Sequence, residues 1–458
     1  MSRSFRCAGL VLLFGLTLGL ALAVPRPAPA SDHADPIDPA RLGDDDDRGL
    51  TDLFTFVVNK EGKRVPHAKD GDALVFVLCA NRLLAKPPPY RGLDAFEFFV
   101  HVDTARTVDI NYPKELSKPQ NAKERDTARY GGIVTKPEEI EPNFTLAMRL
   151  RNDLSGFGAN NFTQMEVRVT DGTGTKVLTD AERAKKVRRW GAGLRDDPFI
   201  FPAFFGTNVI AMVVEVPFSS FPPGAETFVV WGTANRHGKQ IDIQGRPQRT
   251  QLPRFDLLNP LPPKEHVAAI RAAREHPGVR TDVLRYLFPA EFNFRQFDNQ
   301  PDVMIYSKGL PVSFPNGRRL EDDVAKLTCE QGDCQLYELS FVRPRNPDEE
   351  RNAKYEGGRP TANDRPFKED WPYLGEAWDE PNPQPPPASL TTRTQVIFGA
   401  IAAAVLVVFL FPWVLYFRAK RQVRRLRATA PPPASLVQPA APVGTPPAPG
   451  ASPEGARP

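Results

Sequence analysis

Short runs in which apolar residues alternate with polar ones, each closed by turn residues, recur along most of the chain. They fall at Asp52–Val58, Asp72–Leu78, Phe96–Val102, Phe144–Leu150, Met165–Asp171, Asn208–Val216, Thr227–Thr233 and Leu336–Val342. Their richness in Val, Phe and Thr suits a pleated surface, so each predicts a strand. Asp171-Gly172-Thr173-Gly174 predicts a hairpin turn. A helical period is confined to Pro263–Val279, where Val267, Ile270 and Ala273 share a face and Pro277-Gly278 ends the helix, and to Thr281–Phe288. His266 and His276 flank that helix and read as solvent-facing. The pattern predicts a mainly β fold: a large β-sandwich-like domain with a few short helices.

Two unbroken apolar runs bracket this region and change the picture. Ala8–Val24 follows Arg3 and Arg6 and precedes Ala28-Pro29-Ala30, the layout of a cleaved export signal, so residues 1–30 are set apart from the fold. Val396–Phe417 carries no charge and is long enough to cross a hydrocarbon core, with Trp413 and Tyr416 placed for the interface. Arg418, Lys420, Arg421, Arg424, Arg425 and Arg427 follow at once, whereas only Arg393 lies close on the other side. The positive-inside rule then places the C-terminus in the cytoplasm and the β-rich region outside. The expected organisation is a signal at 1–30, an exported β-rich domain at 31–345 and a Pro- and charge-rich strap or linker at 346–395. A transmembrane helix at 396–417 in contact with the lipid bilayer and a basic, then disordered, tail at 418–458 complete it. The basic cluster reads as a stop-transfer signal in preference to a site for acidic lipid headgroups.

Charge follows this division. The 458 residues are formally +4, but the excess sits in the signal and the tail, leaving the exported region mildly acidic and arguing against a nucleic-acid partner. Within the strap, Trp371, Tyr373, Leu374 and Trp378 form an apolar cluster, expected to pin the strap to the domain in preference to serving as an exposed docking peptide. Cys329 and Cys334 enclose a four-residue turn and read as a local disulfide in an oxidising compartment, while Cys79 lies in an apolar strand as a buried small residue.

Catalytic signatures are scarce. The chain has no Gly-x-Ser-x-Gly elbow, no His-Glu-x-x-His and no dinucleotide glycine motif, so no organic cofactor is expected. Cleavage after Ala30 would leave Ser31-Asp32-His33 at the N-terminus, a free amine and an imidazole at position three, the spacing of a square-planar copper site. In preference to copper, His33, Asp35 and Asp38 read as hydrogen-bonding groups that pack against the sheet domain and order the N-terminus. Asp44–Asp47 offer hard oxygens to calcium, but Arg48 and Thr55 occupy positions where an EF-hand needs ligands. Asp38, Asp52 and the pairs Asp196-Asp197 and Asp322-Asp323 are candidate carboxylates for a divalent cation or acid–base work. The structural alternative pairs them with Arg195, Arg318 and Arg319. His101 and His237 are further candidates, read first as strand-edge residues.

Several segments together resemble the bacterial exported family called domain of unknown function 4331. They are Ser31–Asp38 with Leu50–Val58, Gly193–Ile200, Phe204–Pro217, Val229–Arg236, Gln244–Phe255 and Phe314–Leu327, the last matching Phe-Pro-Asn-Gly-Arg-Arg-x-x-Asp-Asp-Val. The resemblance implies one long β-rich domain on the outer side of a bacterial membrane and implies no activity. Relatives tend to carry Asp and Gly after the strand ending near Asp103, in a loop suited to calcium; here Thr104, Ala105 and Arg106 offer no carboxylate. The expected function is a membrane-anchored binding or interaction module with envelope proteins as partners, the rival being a metal-dependent envelope enzyme that uses the aspartates and the N-terminal Ser-Asp-His.

Overall fold

The computed structural model describes residues 49–84, 95–114, 118–150, 165–170, 179–200, 205–247, 249, 253–275, 294, 298–330, 362–379 and 392–429. The chain divides into two units, one spanning residues 24–395 and holding every described strand, the other containing the apolar part of a C-terminal helix.

In the first unit the strands form two antiparallel sheets. One runs β2 (Arg64–Val65), β1 (Leu50–Val58), β3 (Ala73–Leu84), β10 (Asn208–Pro217) and β9 (Arg189–Asp196). The other runs β12 (Lys239–Gln244), β11 (Thr227–Arg236), β4 (Phe96–Asp103), β7 (Phe144–Leu150) and β8 (Met165–Thr170), with β13 (Met304–Ser307) also pairing with β11. A small ladder joins β5 (Val108–Asp109) to β6 (Ile133–Val134). The fold is therefore mainly β, as the alternating runs predict.

In the second sheet burial alternates along β4, β7 and β8, so one face meets the core and the other is only partly covered. Leu53, Leu78 and Met212 share a register on the first sheet and belong to the core that both sheets line. The packing is close: a Cβ on Gly232 of β11 would stand 2.6 Å from Leu78 Cδ1, so glycine is what lets the layers approach here.

The first sheet is covered on both sides, since β1 is buried at every residue and β10 at all but its last. Its second cover comes from two distant segments. The Arg318 guanidinium lies over the Phe54 ring at 3.9 Å from its centroid, and Tyr373 meets Phe56 edge-on at 5.4 Å between ring centroids. Burying a Phe side chain contributes about 1.5–3 kcal/mol, so these covers are energetic components and not decoration.

Helix α1 (Ala122–Tyr130) starts at the Asn121 cap, α2 (Asp180–Lys186) at a Thr179/Glu182 capping box, and α3 (Pro263–Glu275) matches the predicted period. Contrary to expectation, His266 is buried with Ile270 on the inner face of α3, where its Nδ1 accepts from Asp302 N at 3.0 Å. Helix α4 covers Val324–Glu330 and α5 covers Thr392–Thr429 with Pro412 inside it. Among the described residues no helix is long and apolar enough to cross a membrane. The expected export signal, hairpin at Asp171–Gly174, helix at Thr281–Phe288, strand at Leu336–Val342 and tail beyond Thr429 lie outside the described residues.

Candidate functional site

The candidate carboxylates separate into two groups with different fates. Asp322 and Asp323 are absorbed locally. Asp322 accepts from the backbone amides of Phe314 and Arg319, both at 2.8 Å, from the Ser313 hydroxyl at 3.0 Å and from the Arg319 guanidinium at 2.9 Å. Asp323 accepts from Lys326 N at 3.1 Å at the start of α4. The rest of the Phe-Pro-Asn-Gly-Arg-Arg segment is equally committed. The Asn316 side chain accepts from Ser307 N at 2.7 Å and donates to the carbonyls of Ser307 and Pro311. Gly317 has φ +70°, and a Cβ there would lie 2.6 Å from Thr55 O. This pair therefore shapes a loop and takes no part in a shared site.

Asp52, Asp196 and Asp197 do converge, and Asp364, a residue the sequence reading passed over, joins them. Asp196 ends β9, whose last residues bring it beside the 362–379 segment; its Oδ1 accepts from Trp378 Nε1 at 2.6 Å and its Oδ2 from Asn363 Nδ2 at 2.5 Å. Asp197 closes the following turn, its amide donating to Thr207 O at 3.1 Å and its Oδ1 accepting from Phe199 N at 3.1 Å. Asp52, on β1, pairs with Arg318 at 2.9 Å, and the Arg318 guanidinium lies 3.9 Å from the Phe54 ring centroid. Asp364 Oδ2 accepts from Gly206 N at 2.6 Å.

Exposure decides what these groups can do: Asp52, Asp196 and Asp197 are 1%, 0% and 1% exposed. Burial and the neighbouring Asp364 charge push Asp196 up to about 8, with its hydrogen bonds to Trp378 and Asn363 and the Arg365 charge pulling the other way. Burial, then the Asp52 charge, drives Asp197 well above the usual carboxylate range, and burial raises Asp364. The Glu376 charge acts on Arg195, and the two residues also form a backbone bridge. Burial thus favours the neutral form of Asp196, Asp197 and Asp364. Metal ligation needs carboxylates deprotonated and presented together; among the described residues no group of three or more His, Cys, Asp or Glu is placed to hold a metal ion.

The remaining candidates resolve individually. Ser31, His33 and Asp38, with the copper and calcium readings of the N-terminal run, lie outside the described residues. Cys329 ends in α4 while Cys334 is outside the described residues, and no disulfide is seen among those described; Cys79 is a buried thiol. The loop after β4 is occupied by a guanidinium: Arg106 Nε lies 3.0 Å from Asp103 Oδ2 and its Nη1 lies 3.0 Å from Glu139. His101 is central in its sheet and not at an edge, stacked against Phe99 and Trp231, with Thr145 and Thr233 hydroxyls at 3.2 and 3.1 Å; burial lowers it to about 4. His237 occupies the β11–β12 turn with φ 51°. On the solvent side, an open depression of about 410 Å³ beside β2 is lined by residues of both charges, among them Lys60, Glu61, His67, Lys69, Asp70 and Asp72.

No family model matches the chain, and no curated protein or solved structure is similar to it.

Proposed function

We propose that the chain is a single-pass, membrane-anchored extracytoplasmic protein of the bacterial cell envelope whose β-sandwich-like domain is a binding or interaction module and not an enzyme. The observation that carries this reading is the closure of the carboxylate cluster. A general acid or a metal-bound water must reach a substrate, and Asp52, Asp196 and Asp197 are almost wholly removed from solvent beneath residues 362–379. The open, mixed-charge depression beside β2 is a surface where a polar partner would meet the domain. Anchoring rests on the uncharged run Val396–Phe417 and the basic residues after it, and the outer-membrane-face assignment on the export signal and the resemblance to the 4331 family.

The test is total metal analysis of the full chain after expression through its own export signal. The protein is expected in the membrane fraction, released only by detergent, folded and with substoichiometric metal. Stoichiometric calcium lost on Asp196→Asn or Asp197→Asn, or copper lost on His33→Ala, would overturn the reading in favour of a metal-dependent protein.

A further inference from the structure

Helix α5 runs unbroken for 38 residues, from Thr392 to Thr429. At 1.5 Å per residue the apolar run Val396–Phe417 accounts for about 33 Å of it, close to the roughly 30 Å of a hydrocarbon core. The helix does not stop there. It continues for about three further turns, roughly 18 Å, through Arg418, Lys420, Arg421, Arg424 and Arg425. No Asp or Glu occurs anywhere along α5, so this charge is not balanced from within the helix.

A stop-transfer signal needs basic residues in number but not on one side. Here they are on one side. At about 100° per residue the five cations fall within an arc of about 160°, while Ala419, Gln422 and Val423 fill the opposite side. All five cationic side chains are exposed. Helical side chains lean toward the helix N-terminus, which on α5 is the direction of the apolar run. Lys420 shows this directly, its Nζ lying 5.7 Å from the centroid of the Tyr416 ring one turn back. Trp413 and Phe417, with ring centroids 5.6 Å apart, stand on the same side as the cations, Trp413 two turns before Lys420.

We propose that this basic face collects anionic phospholipids of the cytoplasmic leaflet, an assignment that rests on the membrane anchoring proposed above. Guanidinium forks match phosphate oxygens bidentately, and a headgroup without a cation of its own leaves that attraction uncancelled. Arg418, Lys420 and Arg421 lie within about 6 Å of the end of the apolar run along the helix axis, inside the roughly 8 Å screening length of physiological salt. Arg424 and Arg425, at about 11 and 12 Å, come within that reach when the helix tilts toward its basic side. Charge spread evenly round the helix would favour no direction of tilt; charge confined to one arc does. The anchor would then hold a fixed lean and a local pool of acidic lipid.

The full chain in phosphatidylcholine vesicles tests this, doped with dibrominated phosphatidylcholine or dibrominated phosphatidylglycerol and read by tryptophan emission. Trp413 is the one tryptophan of α5, and bromine on an acyl chain quenches only an indole within the bilayer. Quenching by the brominated phosphatidylcholine reports insertion of α5; the ratio of the two lipids' association constants reports selection. Phosphatidylglycerol is expected to be favoured by about threefold or more at low salt, with the ratio falling toward unity in about 1 M NaCl. The ratio should also collapse in Arg421→Gln with Arg424→Gln and Arg425→Gln. It should collapse again in a variant of unchanged charge, Lys420→Gln, Gln422→Lys, Val423→Arg and Arg424→Val, which spreads the cations round the helix. Equal quenching by both lipids overturns the proposal and leaves anchoring standing, whereas no quenching by either overturns both. A preference that survives in the charge-conserving variant overturns the one-sided face in favour of charge count alone. Disulfide trapping of Val423→Cys as a dimer, without a lipid preference, overturns it in favour of a second copy of the chain.

Discussion

At the residue scale, the decisive contrast is between two aspartate pairs that look alike in sequence. Each follows a glycine by a few residues in a loop, and each neighbours an arginine. What separates them is where the amides point: Asp322 is surrounded by donors from its own loop, whereas Asp196 finds its partners at Asn363 and Trp378, more than 160 residues away. No local pattern encodes that distance, and Asp364 had no sequence signal of its own. His266 misled for a related reason, because a polar residue on an amphipathic helix reads as solvated until a backbone amide such as that of Asp302 is found aimed at it. Arg318 carries the sharpest residue-level prediction. It is the largest fully buried side chain among the described residues, 1% exposed, and removing it leaves Asp52 enclosed without its ion-pair partner. Arg318→Ala should therefore destabilise the domain by about 3–5 kcal/mol in chemical denaturation, and the paired variant Arg318→Met with Asp52→Leu should recover much of the loss. Equal destabilisation by the single and paired variants would show that the lost packing on Phe54, and not the stranded charge, sets the cost.

At the element scale, seven of the eight expected strands fall on β1, β3, β4, β7, β8, β10 and β11, because each combines apolar alternation with β-branched or aromatic residues. The strand β9 was not legible as such: Gly191, Ala192 and Gly193 at its centre carry no side chain large enough to make an alternation visible, yet the strand pairs with β10 along eight residues. β12 and β13 were too short or too polar to register. The strap was half legible, since the cluster Trp371, Tyr373, Leu374 and Trp378 announced burial without saying where. Its seat is the outer face of the first sheet, and its anchor is testable. Leu374→Ala removes a fully buried side chain from the core and should cost about 2–5 kcal/mol, read as a lowered denaturant midpoint of the full chain. A loss below about 1 kcal/mol would mean that the segment docks without contributing to the core.

At the scale of the whole molecule, two sets of buried groups pull the stability–pH curve in opposite directions. Burial lowers both His101 and His266 to about 4. Unfolded, they would titrate near 6.5; each therefore contributes stability fully present above that value and lost as pH falls toward 4. Asp196 is the reverse, raised to about 8 by burial, so its contribution is complete below the unfolded carboxylate value of 3.9 and is lost as pH rises toward 8. Between roughly pH 4 and 6.5 the two histidines outweigh Asp196, so the net slope is that of one proton; above 6.5 Asp196 alone of the three is still changing. Urea denaturation of the full chain should accordingly show stability rising to a maximum near pH 6.5, then a fall of about 2 kcal/mol by pH 8, which is one and a half pH units of a single linked proton. Asp196→Asn should remove most of that fall while leaving the acid limb in place, because the histidines lie on other elements. A wild-type curve that stays level from pH 6.5 to 8 would mean that Asp196 is already ionised in the folded protein.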